Sequence, residues 1–121
     1  MIELKMTKDA PTLAHIQAEV DQWITTTGVR YFSELTNMAL LTEEVGELAR
    51  IVARRYGDQS VKPGESATAE DLAGEMADVL WVLVAMANQC DVDLSSAFAA
   101  SMEKKTTRDA DRHRNNPKLK P

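Results

Sequence analysis

Nine consecutive residues from Val79 to Ala87 are apolar, and this run constrains the fold more than any other feature. It is far too short to span a bilayer, so a helix built on it must be covered on every side by other protein. Immediately before it stand Glu75 and Asp78, which on a helical wheel fall on the same arc as Val79, Val82 and Met86. A carboxylate there must be protonated, paired or bound to a cation, because an isolated buried charge costs several kcal/mol. No basic residue lies within four positions of either acid.

A second segment repeats the pattern. Leu40, Leu48 and Ile51 share one arc, with Glu44 inside it and Glu43 and Glu47 at its edge. Glu44 with Glu47, and Glu75 with Asp78, have i, i+3 spacing, which puts each pair on one helix face. Antiparallel packing of the two helices brings the inward-facing acids together. Carboxylates so gathered repel one another, and the cation suited to an all-oxygen site is Mg²⁺, with Mn²⁺ as the alternative. Such an ion leaves positions open to polyphosphate oxygens. The competing reading is a solvated face on which Glu43, Glu44 and Glu47 pair with Arg50, Arg54 or Arg55.

The rest of the chain reads as helix. Leu13, Ile16, Val20, Trp23 and Ile24 mark a first helix from Pro11-Thr12 to about Thr27, ended by Gly28. Ser33 caps a second, from Glu34 to Tyr56, with Gly57 beyond it. Residues 58–68 form a surface loop. Thr68 caps a third helix, from Ala69 to about Gln89, and Asp93 a fourth, from Leu94 to about His113. Residues 1–121 form one domain whose last stretch, 114–121, is a flexible or partner-held tail. The fold class is all-α, a four-helix bundle. Gly46 and Gly74, inside helices two and three, are candidates for close helix approach.

Several classes are excluded. The single cysteine, Cys90, forms no internal disulfide and no Cys-x-x-Cys pair, which fits a reducing cytoplasm. The N-terminal segment has no apolar leader, so neither membrane insertion nor secretion is expected. Net charge is −5, with 17 acidic and 7 basic residues up to Glu103 but 2 acidic and 7 basic from Lys104 onward. An acidic body of this kind lacks the basic stripe a nucleic-acid polymer requires. No Glu-x-x-His occurs, and neither P-loop nor Rossmann glycine strings are present.

The string Leu41-Thr42-Glu43-Glu44-Val45-Gly46-Glu47-Leu48, with 27 residues separating Glu47 from the Glu75-Met76-Ala77-Asp78-Val79-Leu80 string, resembles the two-part signature of MazG-like all-alpha nucleoside triphosphate pyrophosphohydrolases. The resemblance runs from about Trp23 to His113. It implies cleavage of a nucleoside triphosphate between the α and β phosphates, giving a monophosphate and pyrophosphate, often to clear unwanted nucleotides. It also implies that Glu44, Glu47, Glu75 and Asp78 bind one or more Mg²⁺ ions, and that Glu43 orients or deprotonates the attacking water. The family tends to place a Lys, an Asn and an Arg on the last helix. Here Lys104, Lys105 and Arg108 are the nearest match, without the Asn. They are candidates to hold the departing pyrophosphate, against an ordinary role in complementing the helix dipole.

A base would need a flat apolar surface and an edge contact. Trp23, Tyr31, Phe32 and Trp81 supply the aromatics, each with core packing as its rival role, and Asn37 is the candidate for reading a base edge. The alternative to an enzyme is a metal-dependent nucleotide-binding regulator with little turnover. The apolar surface of helix three exceeds what its neighbours cover, which predicts a homodimer or homotetramer.

Overall fold

The protein is described from a computed structural model covering residues 2, 4 and 9–120. Among these residues there are only helices and connections. In chain order they are α1 (Leu13–Thr26), α2 (Glu34–Tyr56), α3 (Ala69–Gln89), α4 (Leu94–Lys104), a π-helical segment (Lys105–Asp109), α5 (Ala110–Arg114) and a 3-10 turn (Pro117–Leu119).

The helix starts are set by local chemistry. The Thr12 hydroxyl accepts from the His15 amide, Ser33 from Thr36, Thr68 from Asp71 and Asp93 from Ser95, each satisfying a backbone donor that the first turn leaves unpaired. At α3 the bond is reciprocal, the Asp71 carboxylate accepting from the Thr68 amide at 2.9 Å. Ser66 donates to the same carboxylate, and Arg55 donates to the Ala67 carbonyl at 2.9 Å, tying the end of the 58–68 loop to both helices.

Helix α2 packs along α3, α1 lies against α3, and α4 leans on α1. Val20 and Ile24 of α1 and Val84 and Ala85 of α3 form the core, closed by Ile16, Tyr31 and Leu94, while Ile51 seals α2. Two consecutive amides at the end of α3 clamp it to its neighbours. Asn88 exchanges hydrogen bonds with Gln17 of α1 (3.0 and 2.9 Å), and Gln89 accepts from Asn37 of α2 (2.7 Å). Buried amides paired in this way fix the helix register as well as contributing stability.

The expected fourth helix is one run from Leu94 to Arg114, interrupted by the π segment, a one-residue widening of the helical turn. None of its side chains is buried. Met76, Leu80 and Leu83 of α3 are therefore left exposed, as are Phe98 and Met102 of α4, flanking a groove lined by Leu13, Leu94 and Ala97. Gly46 and Gly74 do not mark a close helix approach, since a Cβ on either would meet nothing within 4 Å. No described helix is long and apolar enough to cross a membrane.

Candidate active site

Helix α2 contributes Glu44 and α3 contributes Glu75 and Asp78, one turn apart. Each offers a carboxylate oxygen, and the three oxygens lie within 4.8 Å of one another. Among the described residues, none of the three forms an ion pair. Partial burial raises the Glu44 carboxyl above the ordinary glutamate range, and the negative charges of Asp78, Glu75, Glu47 and Glu43 push it further the same way. The group lies at the rim of the α2–α3 seam rather than in the interior expected from the wheels: Glu44 and Glu75 are half-buried and Asp78 is exposed. The groove at this edge is lined by residues of α2 and α3 alone among the described residues, and the ends of the acids reach water.

The other acids of the α2 string stand differently. Glu47 is exposed and lies 3.4 Å from Arg50, whose guanidinium also meets Glu65 at 3.4 Å. Glu43 is exposed and has the smallest influence of the four acids acting on Glu44. The structure thus brings together three of the four expected ligands and leaves Glu47 one turn away, facing a cation of its own helix.

Oxygens sharing one Mg²⁺, Mn²⁺ or Ca²⁺ at about 2.0–2.6 Å lie no more than about 5 Å apart, a limit that the group meets. Its donors are all hard oxygens, and among the described residues no basic side chain pairs with them. Both facts fit a divalent cation of this class.

A groove lined by Leu40, Glu44, Asp78, Trp81 and Val82 leads from the acids. Leu40, Trp81 and Val82 also wall a deeper apolar cavity, whose other side is formed by Trp23, Phe32 and Asn37. Trp23 and Trp81 meet edge to face, with centroids 5.6 Å apart and planes at 86°. Both rings are partly exposed, so neither is simply core. Gly28 makes room for this arrangement, since a Cβ there would come within 2.9 Å of the Trp23 ring. Beside it Val29 has φ of 74°, a left-handed conformation that costs a β-branched residue about 1–3 kcal/mol. The strain sits at the rim of the cavity, between two of its lining residues, Gly28 and Arg30.

Asn37 is 5% exposed and lines this cavity. Its Nδ2 donates to Gln89 Oε1 at 2.7 Å, and Gln89 Nε2 donates to the Phe32 carbonyl at 2.9 Å. Gln89, Gly28 and Leu40 are site residues that sequence reasoning missed. A glutamine at a helix end looks like a solvated terminus, and only the fold reveals its partners.

Lys104, Lys105 and Arg108 are exposed and are not brought to the acids within the chain. Lys105 donates to Ser101 at 3.3 Å and Arg108 pairs with Asp109 at 3.2 Å. The π segment that carries Lys105 and Arg108 packs chiefly on α4 and α5, its neighbours in sequence.

Comparison with known proteins places this geometry in context. The model of the MazG nucleotide pyrophosphohydrolase domain matches residues 32–113. YpjD of Bacillus subtilis (strain 168) is 48% identical over 101 residues, covering 84% of this chain and 89% of that protein. The crystal structure of YpjD from Bacillus subtilis superposes with a TM-score of 0.72 at 45% identity, covering 83% of this chain and 98% of that one. The crystal structure of the Bacillus-conserved MazG protein, a nucleotide pyrophosphohydrolase, gives a TM-score of 0.70 at 41% identity, covering 85% and 98%.

Proposed function

Because this chain belongs to the MazG nucleotide pyrophosphohydrolase family and is a hydrolase acting on nucleotide anhydrides, we propose that it cleaves (deoxy)nucleoside triphosphates between the α and β phosphates in a Mg²⁺-dependent reaction. The observation that carries this reading is the meeting of Glu44, Glu75 and Asp78, without an ion pair among the described residues, beside an aromatic-walled cavity.

Glu44, Glu75 and Asp78 hold the cation, with Mn²⁺ able to replace Mg²⁺ in an all-oxygen site. When bound, the ion supplies positive charge to the phosphate oxygens and acidifies water. Glu47 would complete the ligand set, at the expense of an exposed pair with Arg50 worth only about 0–1 kcal/mol. Glu43, exposed and unpaired among the described residues, takes the proton of the attacking water. The edge-to-face pair of Trp23 and Trp81 offers the base an apolar wall and Asn37 meets its edge, so that the scissile anhydride would lie over the carboxylates rather than in bulk water.

Lys104, Lys105 and Arg108 bind the departing pyrophosphate, where positive charge is most useful as negative charge develops on the leaving group. Because they stand away from the acids of their own chain, a second copy delivers them. The exposed apolar row of Met76, Leu80, Leu83, Phe98 and Met102 supports a homodimer, or a tetramer built from it. A triphosphate substrate, the acidic body and the absence of a basic stripe together favour clearance of unwanted nucleotides from the pool over work on a nucleic-acid polymer.

Product analysis by phosphorus NMR tests the proposal. Incubation of a triphosphate panel with Mg²⁺ should give monophosphate and pyrophosphate in equal amounts. Release of orthophosphate and a diphosphate would place cleavage at the wrong bond, and no release from any nucleotide would favour a binding protein.

A further inference from the structure

The hydrogen bonds around Asn37 dictate which way its amide faces. A backbone carbonyl can only accept, so Gln89 must turn Nε2 toward the Phe32 carbonyl. That choice aims Gln89 Oε1 at Asn37, which must answer with Nδ2. The remaining atom, Asn37 Oδ1, receives no hydrogen bond from any described residue although Asn37 is 95% buried and lines the aromatic cavity. Oδ1 is not sealed in but open to the cavity, so its lone pairs are free to meet whatever edge a ligand presents there. Arg30, the cationic side chain among the lining residues, is exposed and gives Nη1 to the Tyr31 carbonyl at 2.9 Å.

We infer that Asn37, oriented by Gln89, selects nucleotides whose base presents an exocyclic amino group, as cytosine and adenine do, over their oxo counterparts. The inference rests on reading the cavity as the base-binding end of the site. An exocyclic amino group projects from the ring edge and donates directly to Oδ1. An oxo group in the same place sets lone pairs against lone pairs, and a ring N–H beside it carries that repulsion with it as it approaches. Gln89 does not touch the base; it is a positioning residue that keeps the amide from turning over.

The test is equilibrium binding of monophosphates to the full chain in the presence of Mg²⁺, read by the fluorescence of Trp23 and Trp81. The pairs dCMP with dUMP and dAMP with dIMP each differ by one amino-to-oxo exchange on the same ring. The wild type should favour the amino member of both pairs by about tenfold or more, the effect of one lost hydrogen bond with its acceptor left unpaired. Gln89→Leu frees the amide to present Nδ2 and should bring both ratios close to one. Gln89→Glu should retain them where its carboxyl is protonated, the O–H donating to the Phe32 carbonyl and the other oxygen accepting from Asn37.

Equal or oxo-favouring binding by the wild type, failure of all four to bind, or unchanged ratios in Gln89→Leu would overturn the inference. Should Gln89→Leu not fold, the wild-type ratios and their loss in Asn37→Ala decide instead. Pyrophosphate release is measured separately: hydrolysis without base selectivity overturns this inference alone, and amino-selective binding without hydrolysis overturns the proposed reaction alone.

Discussion

Trp81 stands one helical turn beyond Asp78 on α3, so a single helix carries both a carboxylate of the acidic group and one wall of the aromatic slot. On the proposed reading, a base set against the apolar wall made by Trp81 and Trp23 would leave its phosphates near the carboxylates. This arrangement has measurable consequences.

Divalent cations should stabilise the fold. A ligand that binds only the folded state adds about 2.7 kcal/mol at a hundredfold excess over its Kd. Calorimetric Tm should therefore rise by several degrees with Mg²⁺ in the wild type and remain flat in Asp78→Asn.

The pH dependence of stability has a definite sign. Burial and neighbouring carboxylates raise the folded pKa of Glu44 above its unfolded value, so the folded state binds more protons in that window. In metal-free protein the stabilisation contributed by Glu44 should be fully present below the ordinary glutamate pKa and be lost as pH rises through the raised value. Urea titrations should show a shallower decline in Glu44→Gln. Asp71, whose carboxyl is lowered first by its bond from Ser66, contributes in the opposite direction, losing its stabilisation as pH falls through its folded value.

Arg50 pairs with Glu47 at 3.4 Å, so on the proposed reading it would compete with the cation for that carboxylate. Arg50→Ala should tighten Mg²⁺ binding a few-fold, in keeping with the small energy of an exposed pair. Glu47→Gln should lower turnover by about 100-fold or more, the scale of a lost metal contact, while helix content by circular dichroism stays near wild type.

Helix bounds were legible in the sequence because they are local. Ser33, Thr68 and Asp93 cap where their side chains meet the next turn's amides, with no help from tertiary structure. The pairing of Glu44 with Glu75 and Asp78 was also legible, since carboxylates on apolar arcs are expensive unless gathered. Their position at the rim was not, because the wheel cannot tell which edge of a helix pair faces water. Nor was the π segment, as nothing in Lys105–Asp109 marks an extra residue. The cavity depends on contacts between Trp23, Gly28 and Trp81 that are distant in sequence, and Gln89 acquires its role only once Asn37 and Phe32 lie beside it.

Gly28→Ala should disturb the slot from outside it. The added methyl group must displace the Trp23 ring, which should weaken nucleotide binding with little change in metal affinity. Fluorescence titration with a monophosphate and calorimetric titration with Mg²⁺ separate the two effects.

The apolar row on α3 and α4 should be covered by a second copy. Light scattering should report a dimer or tetramer, and the double change Leu83→Glu with Phe98→Asp should yield monomers that lose turnover because Lys104, Lys105 and Arg108 no longer reach the partner's acids. A monomeric wild type would contradict this arrangement.

The proposed reaction depends on a divalent ion held between α2 and α3. Electron paramagnetic resonance of Mn²⁺ titrated into the protein reads that binding directly: the wild type should immobilise the ion, and Glu44→Gln and Asp78→Asn should leave it free in solution. Equal binding by all three proteins would contradict the assignment of the site.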